Sequence, residues 1–246
     1  MTQPGGVTLQ QSEDFPTLVG KVFGLIGESF RALVLNFWTL LGTLALPMLL
    51  FAIAFAGVLL ANEVGDDSTL VRVLGIVIAA IAGIVGIVVF VFASIACIFI
   101  QLYSVRHKKI GIKQAYTLAR PFFWRYIVQS IIVVGLIIAG LLLFIVPGLV
   151  VAFFILLAPY TLVDKNLQPF DSIKASYELI KKHWKILLAY VVLQLFISLC
   201  GVIPVLGKPV TWALSIAYAF ILPIIYIKIV TVSKKKVQKR ARTKAA

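Results

Sequence analysis

From Leu74 to Tyr103 the chain reads LGIVIAAIAGIVGIVVFVFASIACIFIQLY, without one charged side chain. A helix crossing a bilayer needs about 20 consecutive apolar residues, whereas a helix at the surface of a soluble core keeps a polar face. Five further apolar runs share the character of this one, and together they decide the solvent. Hydrophobic residues make up 61% of the 246 and charged residues 13%, against roughly 45–50% and about 25% in soluble domains. Too little polar surface exists to clothe a soluble fold. The sequence therefore predicts an all-α fold, a polytopic integral membrane helix bundle.

The six runs are Phe37–Leu60, Leu74–Tyr103, Ile127–Val146, Leu149–Val163, Ile186–Val202 and Val210–Ile227. Residues 1–36 read as an N-terminal tail and an interfacial amphipathic helix, 37–231 as the transmembrane domain, and 232–246 as a basic tail. Charge threads the runs. With six spans and an inner N-terminus, all but Arg72 and Lys208 of the 23 Lys and Arg fall on the inner side, as the positive-inside rule requires. Splitting the long second run would invert everything after it and send Arg106, Lys108 and Lys109 outward, so it is expected to be one tilted or projecting span. The short fourth run is either a span or half of a re-entrant hairpin around Val146-Pro147-Gly148. The expected location is the cytoplasmic membrane, multi-pass, with both termini cytoplasmic. MTQPGGVTLQQSEDF at the start has no Lys, Arg or apolar core, so no cleaved secretory signal is expected.

Wet segments recur just ahead of the hairpins. In PFDSIKASYELIKKHWK (169–185), Ile173, Tyr177, Ile180 and Trp184 recur at spacings of 4, 3 and 4. That is one face of a helix, with Lys174, Lys181, Lys182 and Lys185 off it or at its edge. Such a helix suits a membrane surface. Near the N-terminus Phe15, Leu18, Val19, Val22, Phe23, Ile26, Phe30, Leu33 and Phe37 keep helical spacing, and GIKQAYTLARPFFWRY leads into the third run, with Pro121 placed to begin a fresh helix. Phe30/Phe37, Tyr116/Phe123 and Tyr177/Trp184 each pair aromatics seven residues apart. The chain thus reads as three copies of a surface helix followed by a transmembrane hairpin.

The second half, VPGLVVAFFILLAPYTLVDKNLQPFDSIKASYELIKKHWKILL, resembles the membrane domain of some bacterial glycerophosphodiester phosphodiesterases and of related stand-alone multi-span proteins. The residues that carry the likeness are Pro147-Gly148, Val163-Asp164, Ala175-Ser176-Tyr177-Glu178-Leu179, Lys181, Lys182 and Trp184. The resemblance covers roughly residues 110–230 and implies a helical membrane domain. It does not bring the hydrolase, whose activity in that family resides in a separate soluble barrel.

No catalytic set assembles from the residues, so no enzyme, cofactor or metal is expected. His107 and His183 lie in basic segments, Cys97 and Cys200 in apolar runs, and all nine acids lie outside the runs. Intramembrane ionisable groups mark proton relays and ion coupling, and these runs have none. Thr39, Thr43, Ser94, Gln101, Gln129, Ser130, Gln194, Ser198, Thr211 and Ser215 read as helix–helix hydrogen-bonding residues, and Gly83, Gly86, Gly135 and Gly140 as close-contact positions. The tail SKKKVQKRARTKAA has no base-stacking aromatics, so nucleic acid is not an expected partner; its charge suits anionic lipid.

The expectation is a non-enzymatic membrane protein with a basic, aromatic cytoplasmic collar that engages anionic phospholipid. It would organise membrane or serve a protein partner, or its own second copy, as an accessory. Arg120, Trp124, Arg125, Lys181, Lys182, His183 and Trp184 are the headgroup-binding candidates. The alternative is a transporter or channel for a small or lipidic solute, with a path lined by Gln129, Gln194 and Ser198.

Overall fold

The structure is a computed structural model and describes residues 15–64, 69–200 and 219–231. The extreme N-terminal tail, the first half of the sixth run and the basic C-terminal tail lie outside the described residues. Within them the chain is helical throughout: α1 (Phe15–Leu35), α2 (Phe37–Leu59), α3 (Thr69–Val105), α4 (Ile112–Ala119), α5 (Phe123–Leu143), α6 (Ile145–Ile155), α7 (Ala158–Lys165), α8 (Pro169–Cys200) and α9 (Ile221–Thr231). Five helical stretches are long and apolar enough to cross a membrane: Phe37–Asn62, Thr69–Val105, Ile112–Leu143, Ile145–Lys165 and Pro169–Leu199. This is a multi-pass membrane architecture.

The second run is one unbroken helix, as the charge argument demanded. Its 37 residues measure about 55 Å at 1.5 Å per residue, well beyond a hydrocarbon core about 30 Å thick. The fourth run is two helices, α6 and α7, parted at Leu156–Leu157. The 11 residues of α6 reach only about 16 Å, and the two helices together make the Ile145–Lys165 stretch long enough to cross. The tip between the third and fourth runs also moves. Phe144 is extended (φ −169°, ψ 158°) and makes the turn, so Ile145 and Val146 start the next helix and Pro147-Gly148 sits in its first turn, where proline is tolerated. A Cβ on Gly140 would stand 2.8 Å from the Gly148 backbone, so two glycines allow the close return.

Breaks separate the surface helices from the spans. Asn36 (φ −126°, ψ 25°) divides α1 from α2, and His183 (φ −128°, ψ 28°) interrupts α8 with nearly the same dihedrals. At the middle junction a 3-10 turn, Arg120–Phe122, holds Pro121 and precedes α5, so the fresh helix starts at Phe123 rather than at the proline. The three segments share a register. Ser29, Ala115 and Ser176 are fully buried, and four residues on Leu33, Ala119 and Ile180 are buried too.

That register shows which side of each surface helix packs within the protein. Phe30 and Tyr177, placed on the apolar stripes, are 59% and 45% exposed. The buried face of α1 is Val22, Leu25, Ser29, Ala32 and Leu33, and in α8 it runs through Ser172, Ser176 and Ile180. Hydrocarbon is as apolar as a protein core, so large apolar side chains gain nothing by turning inward. Small and hydroxyl-bearing residues pack between helices instead.

The described residues form two compact units. One holds those up to Leu35, Gln101–Lys109 and those from Val128 on; the other holds Asn36–Ile100 and Ile110–Ile127. In the first, α1, α6 and α7 pack along α8, and Phe220 to Tyr226 form its most buried segment. In the second, α2 and α3 meet at Gly57 and Gly75, whose added Cβ atoms would lie 2.7–2.8 Å from each other's carbonyl oxygens. Of the glycines expected to permit close contact, Gly86 and Gly140 do so, while Gly83 and Gly135 face open space.

Candidate functional site

Bilayer interiors offer no water to a backbone group that loses its helical partner. The described helices contain such defects, and named side chains repair them. In the second unit Pro47 lies inside α2 and has no N–H to give the Thr43 carbonyl four residues back. The Tyr116 hydroxyl donates to that carbonyl at 3.0 Å. Asn36 Oδ1 accepts the Ile110 N–H at 3.1 Å, and the Thr39 hydroxyl donates to the Ile110 carbonyl at 3.0 Å. In the first unit Ser176 stitches the α6–α7 break: its hydroxyl donates to the Phe154 carbonyl at 2.9 Å and accepts the Leu157 N–H at 3.2 Å.

The expected headgroup residues fall into two groups, one in each unit. Arg120, Trp124 and Arg125 belong to the second. Arg120 is exposed, Trp124 is 74% exposed and Arg125 is half-buried. Arg120 and Tyr116 border a cavity of about 340 Å³ whose other walls are Leu46, Val89 and Phe92, and Phe92 stacks on Phe123 with ring centroids 4.4 Å apart. Lys181, Lys182, His183 and Trp184 belong to the first unit. Lys181 and Lys182 are exposed, His183 is the half-buried hinge and Trp184 is 45% exposed. Lys181 Nζ stands 5.9 Å from the centre of the Tyr177 ring, a cation–π arrangement at the edge of its range.

None of the transport-path residues lines the cavities at Arg106, at Tyr116 or at Val133 among the described residues. Gln129 is 2% exposed with both amide atoms unpartnered, and Gln194 Oε1 is also buried without a partner. Ser198 faces outward. The cavities described here are lined by other residues.

Sequence reasoning missed the most connected polar cluster, which lies in the first unit around Asp164. The end of α3 brings Arg106, α7 brings Asp164, and α9 brings Tyr226. Arg106 Nη2 donates to Asp164 Oδ1 in an ion pair, and the Tyr226 hydroxyl donates to Asp164 Oδ2 at 3.0 Å. Tyr226 is fully buried and stacks on Tyr160 with centroids 5.9 Å apart. Tyr160 in turn donates to Gln101 Oε1 at 2.8 Å. Lys228 Nζ, two residues beyond Tyr226, pairs with Glu28 of α1 at 2.7 Å.

Backbone signals position this cluster. His107 adopts a left-handed conformation (φ 55°) just past α3, and Asn166 (φ 51°) caps α7 in the same way, a role that asparagine tolerates. Each turn leaves a charged residue exposed at its helix end. The only hint in the sequence was Asp164 itself, a single acid closing an apolar run amid basic residues; its partners are 58 and 62 positions away.

Comparison with family models, with curated proteins and with solved structures gives no match to this chain.

Proposed function

We propose that this is a non-enzymatic protein of the cytoplasmic membrane, with both termini cytoplasmic, whose surface-helix junctions engage anionic phospholipid. One observation carries the reading. Each junction exposes a tryptophan at the start of the spanning helix: Trp38 at 78%, Trp124 at 74% and Trp184 at 45%. Tryptophan ring systems favour the headgroup level of a bilayer. Cations stand beside two of them, Arg120 and Arg125 by Trp124, and Lys181, Lys182 and Lys185 by Trp184. Each basic residue near an anionic surface contributes about 1 kcal/mol. The likeness of residues 146–188 to the membrane domain of glycerophosphodiester phosphodiesterases belongs to the same proposal and implies a membrane role apart from the hydrolase barrel. Membrane organisation, or service to a protein partner or a second copy, follows from such a collar.

Native mass spectrometry of the wild type beside Lys181→Ala/Lys182→Ala/Trp184→Ala tests it. Anionic lipid retained by the wild type and lost from the variant supports the collar. Equal retention reduces the junction to an anchor.

A second reading, passage of a small or lipidic solute, rests on Gln129. A buried amide with both atoms unpartnered asks for an explanation, and a polar solute or water would supply one. Flux through proteoliposomes that disappears in Gln129→Leu would favour this reading. A variant that is merely more stable, with no flux in either protein, would end it.

A further inference from the structure

Beside the Asp164 cluster the first unit opens a cleft of about 430 Å³, lined by Arg106, Asp164, Lys165, Ile227, Val230 and Thr231. Its size lies in the range of small-molecule sites, roughly 300–1,000 Å³. We propose that this cleft binds a phosphate-bearing group, with Arg106 and Lys165 as its cations.

Charge sets the sign of the ligand. The lining holds two cations and one carboxylate, and both oxygens of that carboxylate already accept a hydrogen bond, one from Arg106 and one from Tyr226. The carboxylate is therefore satisfied from inside the protein, and a net positive charge is left for the cleft. Arginine carries five N–H donors. Asp164 engages the guanidinium through Nη2, and the Arg106 side chain remains 43% exposed. An arginine already held by a carboxylate loses less freedom on binding, which is the advantage of preorganisation. Its planar fork matches phosphate oxygens.

Lys165 is the second cation. It is the last residue of α7, it is exposed, and no partner for it is found among the described residues. A lysine acts on phosphate as a point charge. Ile227 and Val230 supply an apolar wall, which lowers the local dielectric and strengthens the charge interactions. That wall also suits the hydrocarbon part of a phosphate ester.

The ligand has two sources, a soluble phosphate compound or a phospholipid headgroup, and two measurements on the full purified chain separate them. Isothermal titration with inorganic phosphate and with glycerol 3-phosphate reads the soluble source. Native mass spectrometry after exposure to vesicles of phosphatidylglycerol or phosphatidic acid reads the lipid source. Lys165→Glu is the decisive variant, because Arg106 also holds Asp164 and its removal would mix binding with folding. Lys174→Glu makes the same charge change on the exposed face of α8. Binding of either kind should weaken about tenfold or more in Lys165→Glu, as expected for reversing one partner of a close charge pair, and stay unchanged in Lys174→Glu. Saturable binding of the soluble phosphates assigns the site to a soluble ligand; binding of the lipids alone assigns it to a headgroup. Wild type that binds no probe, or Lys165→Glu that binds as well as wild type, overturns the proposal. Lipid retention is compared in a background with Arg120, Arg125, Lys181 and Lys182 replaced by alanine, so lipid held at the junctions does not count and the cleft stands or falls apart from the collar.

Discussion

The hydroxyl of Tyr226 donates a 3.0 Å hydrogen bond to Asp164, joining helices 62 residues apart in sequence. Asp164 receives Arg106 on its other oxygen, so one carboxylate ties the ends of α3 and α7 to the middle of α9. The aromatic stack of Tyr226 on Tyr160 extends the link to Gln101.

Breaking this link should cost stability in a definite order. Tyr226→Phe removes one donor to a charged acceptor, worth about 1.5–3 kcal/mol. Asp164→Ala removes both bonds and leaves the fully buried Tyr226 hydroxyl without its acceptor, so its loss should be the larger. Thermal unfolding in detergent, followed by loss of the monodisperse peak, reads the order. Two variants as stable as wild type would show that the cluster contributes nothing to holding the helix ends.

Ser176 and Ser29 hold matching positions in their surface helices but do different work. Ser29 only bonds the Leu25 carbonyl within its own helix, at 2.8 Å. Ser176 satisfies an N–H and a carbonyl at the α6–α7 break. Ser176→Ala should therefore destabilise by about 1–3 kcal/mol, the cost of an unsatisfied buried group, and Ser29→Ala by less. Limited proteolysis of the pair at rising temperature compares them. Equal sensitivity would contradict the stitching role.

The glycines should divide sharply. A Cβ on Gly57 would meet the Gly75 carbonyl oxygen at 2.8 Å and the Ala79 nitrogen at 2.9 Å. Those are backbone atoms and cannot rotate away, so Gly57→Val should lower the melting temperature markedly. Gly83 and Gly135 have nothing within 4 Å of an added Cβ. Alanine there should be neutral or stabilising by up to about 1 kcal/mol, through helix propensity. A destabilising Gly83→Ala would mean that another surface covers that position.

Orientation is open to direct labelling. In a chain whose native cysteines are replaced by alanine, single cysteines at exposed Lys113 and Lys174 should react with a membrane-impermeant maleimide from the cytoplasmic side only. One at exposed Asn62 should react from the opposite side. The same side for all three would discard the threading by charge.

Much of the architecture was legible in the sequence, because two strong physical rules write directly into it. Hydrocarbon excludes charge, so the runs show where helices cross. Basic residues stay on one side, so Arg106, Lys108 and Lys109 forbade splitting α3, and α3 is one helix. The junctions were legible too, from aromatics seven apart and from Pro121. Less legible were the faces. Apolar periodicity put Phe30 and Tyr177 on stripes suited to a membrane surface, but it did not show that their neighbours Ser29 and Ser176 are the buried residues.

The Asp164 cluster was not legible at all. Its members read singly as a basic residue after a span, an acid closing a run and a tyrosine near the end of another. The repair of α2 at Thr43 was equally hidden, since Pro47 announces a missing hydrogen bond but not that Tyr116, 73 residues on, replaces it. By itself the sequence determined the solvent, the approximate places of the long apolar helices, and the junctions where surface helix gives way to span, because transfer free energy acts residue by residue. Tertiary structure alone decided which faces pack and which polar groups meet. Those choices depend on matching partners in three dimensions, where a buried hydrogen bond left unmade costs far more than an apolar side chain turned toward lipid.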